Sequence, residues 1–273
     1  MNSSILFYDD HCPLCVCYTK FFVRTGLLAP EERQAFSAIP EKWLSKIDFV
    51  KGTNEIPLVN KETGMVLYGI DALLEILGRK MPVVKTIGHW APINFLLRKL
   101  YKLISYNRKV ITAIPCGPGE IDCSPSFDYR YRTLFLFLGL LFNTFMLIPA
   151  HQLLQSIPTY TVTFWELQTG HFLLVVCNLS LAFFLKKEKA FEFLGQVNML
   201  ALTSNLLLIP LIISAAWLSV VAVKVFLVML VVLVFREYIR RMSYAGILKS
   251  YSWIAGVQLG GMALFLLFLF GNK

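Results

Sequence analysis

The sequence predicts an α/β domain at the N-terminus, followed by an all-α bundle of about five transmembrane helices. Hydrophobic residues make up 56% of the chain and charged residues only 16%, whereas soluble domains are usually ~45–50% apolar. The charges are also unevenly spread, because residues 1–132 hold 13 of the 17 acidic side chains and 17 of the 26 basic ones. We therefore expect a soluble first half and a second half that lies in a bilayer.

Strand and helix signals alternate in the N-terminal half. The run Ser-Ile-Leu-Phe-Tyr is typical of a buried strand, the following apolar spacing predicts a helix that Gly26 ends, and Asp71 is a candidate N-cap for a later helix. We expect the order β-α-β-α-β-β-α, with elements at residues 4–8, 12–24, 33–39, 40–47, 55–59, 65–69 and 72–77.

A dithiol motif, Cys12-Pro13-Leu14-Cys15, lies between the first strand and the first helix. This position, together with Pro57 at the start of the third strand, is that of a thioredoxin or glutaredoxin, so the predicted domain at 1–85 is thioredoxin-like. A helix N-terminus favours the thiolate. Cys12 is therefore the predicted nucleophile and the more exposed sulfur, and Cys15 is placed to attack a mixed disulfide on Cys12.

Four residues before the motif and one proline are further candidate site residues. Asp9 and Asp10 are expected to raise the thiol pKa unless one accepts a proton, and a protonated His11 would lower it. These two aspartates, His11 and Tyr8 are the supporting residues. Pro57 is the candidate cis-proline beside the dithiol, although most X-Pro bonds are trans.

The segment Phe-Tyr-Asp-Asp-His-Cys-Pro-Leu-Cys at 7–15 resembles the Tyr-Asp-Gly-x-Cys-x-x-Cys signature of the DCC family of thiol-disulfide oxidoreductases. The segment Ile-Ser-Tyr-Asn-Arg-Lys at 104–109 is similar to the Asn-Arg segment that closes that family's domain. The resemblance covers about residues 4–123 and departs at Asp10, where the family has glycine. It implies a redox-active Cys12–Cys15 disulfide, no other cofactor, and a thiol or disulfide partner.

Other interpretations of the cysteines stay open. A Cys-x-x-Cys pair is also half of many zinc sites, and Cys17, Cys116 and Cys123 are available as further ligands, although redox chemistry is favoured and Cys17 is expected to be a buried helix residue. Cys116 and Cys123 form a second thiol pair in a Gly/Pro-rich loop. They are a possible relay to the dithiol, or two unrelated loop cysteines. A degenerate domain without turnover is a further alternative.

Residues 86–132 are predicted to join the two halves. In 86–112 apolar and basic residues alternate as in an amphipathic helix on an anionic membrane surface, and the same helix is expected to pack on the soluble domain. Net charge is +9, but the basic residues form no single face, so no nucleic-acid partner is expected.

Beyond Arg132, within the predicted membrane domain at 133–273, five apolar runs have the length of a membrane span. They lie at about 133–150, 169–185, 191–213, 216–235 and 251–270. Every basic loop falls on one side, so the positive-inside rule predicts a cytosolic dithiol domain and an outside C-terminus. No signal peptide is expected, and the plasma or inner membrane is the predicted location.

The predicted spans carry polar residues that are expected to face the bundle interior, where they line a cavity or bond between helices, with extension toward the membrane surface as the alternative for Lys224. These are Asn143, Asn178, Gln196, Asn198, Asn205, Lys224 and Gln258. The sequence thus predicts a membrane-anchored thiol-disulfide oxidoreductase that exchanges disulfides on the cytosolic side. The alternatives are a redox-sensing membrane transporter or effector, and a cysteine metal-binding domain.

Overall fold

The computed structural model describes residues 4–115, 124–158 and 160–270. The chain forms two compact units, residues 1–132 and residues 133–273. The first contains a small mixed sheet among helices, and the described part of the second is helical. The strands are β1 (Ser4–Tyr8), β2 (Arg33–Ala35), β3 (Pro57–Asn60) and β4 (Val66–Tyr68).

The helices of the first unit surround this sheet and then extend beyond it. They are α1 (Pro13–Arg24), α2 (Glu41–Leu44), α3 (Phe49–Asn54), α4 (Gly69–Gly78), α5 (Pro82–His89) and α6 (Ala91–Thr112). The predicted element order is confirmed, with α3 added between the second helix and the third strand. The second strand and second helix are shorter than expected.

The sheet has the strand order β2-β1-β3-β4 in the described part of the chain. β1 and β2 are parallel, whereas β3 is antiparallel to both of its neighbours. Alternate residues of the strands enter separate cores. Leu6 and Leu58 pack with α1 and α4 on one face, while Phe7 and Val59 pack with Trp43 on the other. Both faces of this sheet are therefore covered, as the apolar run in β1 predicts.

The ends of α1 and α4 are set by local backbone chemistry. Gly26 adopts a left-handed φ of 66° just after α1, which glycine allows at little cost and which confirms the predicted stop. The predicted cap of α4 is wrong. α4 begins three residues earlier than predicted, at Gly69 with Tyr68 as its N-cap, and Asp71 lies in its first turn. Its carboxylate accepts a hydrogen bond from Arg98 of α6 at 2.7 Å instead.

The second unit consists of long helices with short connections. They are α7 (Tyr129–Gln155, which begins in the first unit), α8 (Phe164–Ala182), α9 (Lys187–Ser214), α10 (Val220–Tyr244), α11 (Ile247–Ser250) and α12 (Ser252–Phe270). Each predicted span contains a helix. Among the described residues, three segments are long and apolar enough to cross a membrane, namely Tyr129–Gln155, Lys187–Trp217 and Ser252–Leu269.

The helices α8 and α10 do not meet that criterion because of their polar residues. α8 includes Glu166, Gln168 and His171, and the end of α10 carries several charges. Arg241 of α10 is 3% exposed, where its guanidinium donates to the Gln196 side chain at 2.8 Å and contacts Glu237 at 2.7 Å. Polar groups thus join α9 and α10 inside the unit.

Candidate functional site

The dithiol lies where β1 ends and α1 begins. Cys12 occupies the N-cap position of α1 with extended backbone, and Pro13 is in the first turn, where its missing N–H costs no hydrogen bond. The Cys12 amide donates to the Asp9 carbonyl at 3.2 Å, and the Cys12 carbonyl accepts from the Val16 amide at 2.9 Å. This fixes the chain from the end of the strand to the first turn of the helix.

Cys12 and Cys15 are both free thiols and interact directly. The Cys15 thiol and the Cys15 backbone N–H donate hydrogen bonds to the Cys12 sulfur, and these bonds outweigh burial and lower the pKa of Cys12 to about 6. The same thiol–thiol bond, together with burial, raises the pKa of Cys15 well above its ordinary value. The pair therefore holds one proton at neutral pH, with the negative charge on Cys12.

Arg108 of α6 supplies the positive charge beside this thiolate. Its guanidinium lowers the pKa of Cys12, as does the bond from Cys15, while the carboxylate of Asp9 raises it. Arg108 lies 3.3 Å from Asp9, with side chains 5% and 4% exposed, and it donates to the Thr53 carbonyl at 2.7 Å. A buried guanidinium acts through a low dielectric, so its charge is felt strongly at the sulfurs.

The site is less exposed than the sequence suggests. Cys12 is 1% exposed and Cys15 is 6% exposed, so the expectation that Cys12 is the more exposed of the pair is wrong. The physical reason is α6, whose Arg108 lies against the dithiol. Cys17 is exposed instead, which corrects the expectation that it is buried. Leu14, between the two cysteines of the motif, is 38% exposed and marks where this surface is open.

The supporting residues divide into those that act on the dithiol and those that shape its loop. Asp9 accepts a hydrogen bond from the His11 amide at 3.0 Å and pairs with Arg108. Asp10 accepts from the Ser37 hydroxyl at 2.8 Å, and His11 lies 3.8 Å from Asp10. Asp10 therefore ties the loop to the end of β2.

Tyr8 is the last residue of β1 and lies on the sheet. The guanidinium of Arg33 stacks over its ring, 3.7 Å from the centroid, and the same Arg33 donates to the Thr19 hydroxyl at 2.9 Å. Thr19 in turn donates to the Cys15 carbonyl at 2.7 Å. Tyr8 therefore supports the backbone of α1 through two side chains.

Pro57 begins β3 in a trans conformation. Every peptide bond among the described residues is trans, so the expected cis bond before Pro57 is wrong. Its place in the sheet is as predicted. Leu6 pairs with Leu58 in the antiparallel register of β1 and β3, which puts Pro57 at the edge where β1 runs into the dithiol loop. The residues just before it form hydrogen bonds with α6.

The segment before Pro57 is bonded along α6. Arg108 donates to the Thr53 carbonyl, the Ser105 hydroxyl donates to the Asn54 carbonyl, and the Tyr101 hydroxyl accepts from the Ile56 amide at 2.9 Å. These three α6 residues follow each other at intervals of three and four, so they share one helix face. The C-terminal half of α6 is thus part of the site, and the predicted packing on the soluble domain is confirmed.

Sequence reasoning missed two further residues of the site. Tyr18 is one turn beyond Cys15, bonds to its sulfur, and has a raised pKa because of burial. Burial also raises the pKa of Tyr101. Arg108 was noticed only as part of the Asn-Arg segment and as a basic helix residue. The signal that points to Tyr101 and Arg108 is the polar and aromatic i, i+3, i+4 spacing within α6, whereas Tyr18 lies in α1, three residues after Cys15.

The other cysteines were predicted to form a relay or a metal site. Cys116 and Cys123 lie outside the described residues, so the relay stays a prediction. Within residues 4–115, 124–158 and 160–270, no group of three or more His, Cys, Asp or Glu side chains is arranged to hold a metal ion.

Comparison with known proteins gave no match to a family model, to a curated protein or to a solved structure.

Proposed function

We propose that this protein is a membrane-anchored thiol-disulfide oxidoreductase whose working groups are Cys12 and Cys15. One observation carries the proposal: a buried pair of free thiols in which Cys15 donates a hydrogen bond to Cys12 and lowers its pKa to about 6. A nucleophilic sulfur that is ionised at neutral pH, with a second thiol one turn away, is what disulfide exchange requires.

The exchange proceeds in two balanced steps. The Cys12 thiolate attacks a sulfur of the partner's disulfide, forming a mixed disulfide and releasing the partner's other sulfur as a thiolate. The hydrogen bond from Cys15 to the Cys12 charge is then gone, so the Cys15 thiol gives up its proton to that leaving thiolate. Cys15 attacks Cys12, the second partner thiolate leaves, and two electrons have passed from the dithiol to the partner.

Finer parts of the proposal rest on pattern and topology. A thioredoxin-like fold for the first unit is supported by the strand order β2-β1-β3-β4, with the dithiol between β1 and α1. The motif at 7–15 supports membership of the DCC family. Five spans are supported by the five long helices of the second unit, three of which are long and apolar enough to cross a membrane. The one-sided basic loops support a cytosolic dithiol domain and a C-terminus outside the plasma or inner membrane.

The N-terminal half of α6 supports contact with the bilayer. Trp90, Phe95, Leu96 and Leu100 are each at least half exposed, and Arg98 and Lys99 lie among them. Apolar side chains beside basic ones on one helix suit an anionic lipid surface. The soluble unit and the membrane unit would then both contribute to anchoring.

Trapping of a partner tests the proposal. In the full-length protein, Cys15→Ser should accumulate a mixed disulfide on Cys12 that dithiothreitol releases, because the resolving thiol is gone. Cys12→Ser should form none, and Cys17→Ser, which changes an exposed cysteine on the same helix, should behave as the native protein. Absence of a two-electron thiol couple in the purified native protein would refute the proposal.

A second candidate is a membrane effector that the dithiol only regulates. It is favoured by a mostly apolar cavity with a few polar side chains in the second unit, which a simple anchor does not need. Cys12→Ser distinguishes the two functions, because it should abolish an oxidoreductase and leave the basal activity of an effector.

A further inference from the structure

A cavity of about 250 Å³ lies within the membrane unit, between α7, α8, α9 and α12. Most of its wall is leucine, valine and methionine. Six polar side chains interrupt this wall: Asn143, His171, Asn178, Asn198, Ser204 and Gln258. No Asp, Glu, Lys or Arg is among the described residues that line it. A ligand for this cavity is therefore uncharged and mostly apolar, with a small hydrogen-bonding part.

Two of the amides that line the cavity, Asn143 and Asn198, already have hydrogen-bond partners. Asn143 donates to Asn198 at 3.2 Å and accepts from Asn205 at 2.9 Å, and Asn198 donates to the Phe135 carbonyl at 3.4 Å. Buried amides that bond to each other form a fixed wall. The ligand does not have to compete for these groups.

Gln258 of α12 is different. Its side chain is 3% exposed, and its Oε1 has no hydrogen-bond partner among the described residues. Leaving a buried amide unsatisfied destabilises the folded protein, and an apolar residue of the same shape would avoid this cost. A primary amide both accepts and donates, so a ligand hydroxyl, which does both, is its best complement.

We propose that this cavity binds an uncharged apolar ring compound bearing a hydroxyl group, held by Gln258. Phenols and reduced quinones share this chemistry. The size agrees with a substituted ring, since a cavity of about 150 Å³ with leucine, isoleucine and phenylalanine walls accepts benzene. The larger space here leaves room for alkyl substituents, and the membrane-length helices of the unit suit a ligand that partitions into lipid.

Cys177 provides a readout because it lines the cavity and is a free, half-buried thiol. The test uses the full chain in detergent with Cys12→Ser and Cys15→Ser, so that the outcome is independent of dithiol chemistry. Modification of Cys177 by N-ethylmaleimide is followed by peptide mass spectrometry, with exposed Cys17 as the internal control. The probes are thymol and p-cymene, which differ by one hydroxyl, and tetramethylhydroquinone as the quinol.

Thymol should slow the modification of Cys177 at least about fivefold and leave Cys17 unaffected. p-Cymene should bind about 2- to 10-fold more weakly, the value of one hydrogen bond. Tighter binding of tetramethylhydroquinone than of thymol would assign the site to quinols, and the reverse would assign it to phenols. Equal protection by thymol and p-cymene, or none by thymol, overturns the proposal.

Gln258→Met keeps the volume of the side chain and removes its amide. It should abolish the preference for thymol over p-cymene and raise the unfolding temperature of the ligand-free protein, because the unsatisfied amide is gone. A purely structural glutamine would give the opposite change in stability. If the preference persists in this variant, Gln258 does not hold the ligand. If the variant does not fold, the comparison of the two probes on the native residue decides.

Discussion

The guanidinium of Arg108 lies 3.3 Å from the carboxylate of Asp9, and both side chains are almost fully buried. The two residues come from opposite ends of the first unit, since Asp9 follows β1 and Arg108 is near the end of α6. Both act on the pKa of Cys12, in opposite directions, with the larger effect from Arg108. The acidity of the dithiol is therefore set by a long-range ion pair as well as by its helix.

Arg108→Met should raise the pKa of Cys12 above 6, because it removes a nearby positive charge and leaves Asp9 in place. We expect alkylation by iodoacetamide at pH 6 to slow several-fold, and Asp9→Asn to speed it. The alkylation rate of the double variant should lie between the rates of the two single variants. It should still be below the rate of the native protein, because Arg108 has the larger effect on the pKa of Cys12. The measurement is the pH dependence of Cys12 alkylation.

The control for this series is Lys99→Met, which removes a positive charge from the exposed part of α6. It should leave the alkylation profile of Cys12 unchanged. An equal shift in Lys99→Met and Arg108→Met would mean that net charge, and not the buried pair, sets the pKa. Arg108→Met alone should also lose about 3–5 kcal/mol of stability, since it leaves a buried carboxylate without its counter-charge.

Stability of the reduced protein should depend on pH through Cys12. Its pKa is about 6 in the folded state and 9.0 in the ordinary thiol, so the folded state loses the proton first. Stability should therefore increase as pH rises from 6 to 9, by the order of 2–4 kcal/mol, and be lost as pH falls through 6. Cys12→Ser should abolish this rise, while Cys17→Ser should retain it. Thermal unfolding across this pH range measures the change in stability. If the stability of the native protein does not change over the range, the lowered pKa of Cys12 is contradicted.

Tyr101→Phe should destabilise the first unit by about 1–3 kcal/mol, because the buried Ile56 amide loses its acceptor. Tyr68→Phe is the matched control. Its hydroxyl accepts from the Asp48 amide at 2.9 Å at an exposed position, where water replaces it, so the loss should be below about 0.5 kcal/mol. Denaturant unfolding of the two variants compares them directly. Similar losses in the two variants would mean that the hydrogen bond from the Ile56 amide to Tyr101 of α6 is unimportant for the stability of the first unit.

Arg241→Met should destabilise the second unit more than Arg240→Met. Both arginines contact Glu237, but the side chain of Arg241 is 3% exposed and that of Arg240 is 42% exposed. Removal of Arg241 leaves the buried side-chain oxygen of Gln196 without its donor, which costs about 1–3 kcal/mol, whereas an exposed pair contributes about 0–1 kcal/mol. The unfolding temperature of each variant in detergent is the measurement. Equal shifts would place the two arginines in similar environments, contrary to this structure.

Local patterns predict local structure well in this chain. The strand at 4–8, the helix after Cys12 and its end at Gly26 follow from apolar spacing and glycine chemistry. The burial of Cys12 and the role of Arg108 do not, because both depend on contacts between distant parts of the chain, such as those of α6 with residues 53–56. No short window of sequence contains both partners of these contacts.

Span prediction shows the same division. Apolar length locates five helices in the second half, yet α8 and α10 are more polar than a simple span. The polar side chains of these two helices contact other helices, as Arg241 of α10 does when it donates to Gln196 of α9. Sequence periodicity gives the position of such residues along the chain but not their partners across the bundle.

The separation of Asp9 and Arg108 has a consequence during synthesis. Ribosomes add about 5–20 residues per second, so roughly 5–20 s pass between the two residues. Through that interval the new Cys12 has the carboxylate of Asp9 nearby and no guanidinium, and its sulfur is a weaker nucleophile. We therefore expect the Cys12 sulfur to reach its full reactivity only after α6 has been made and Arg108 has docked beside the dithiol.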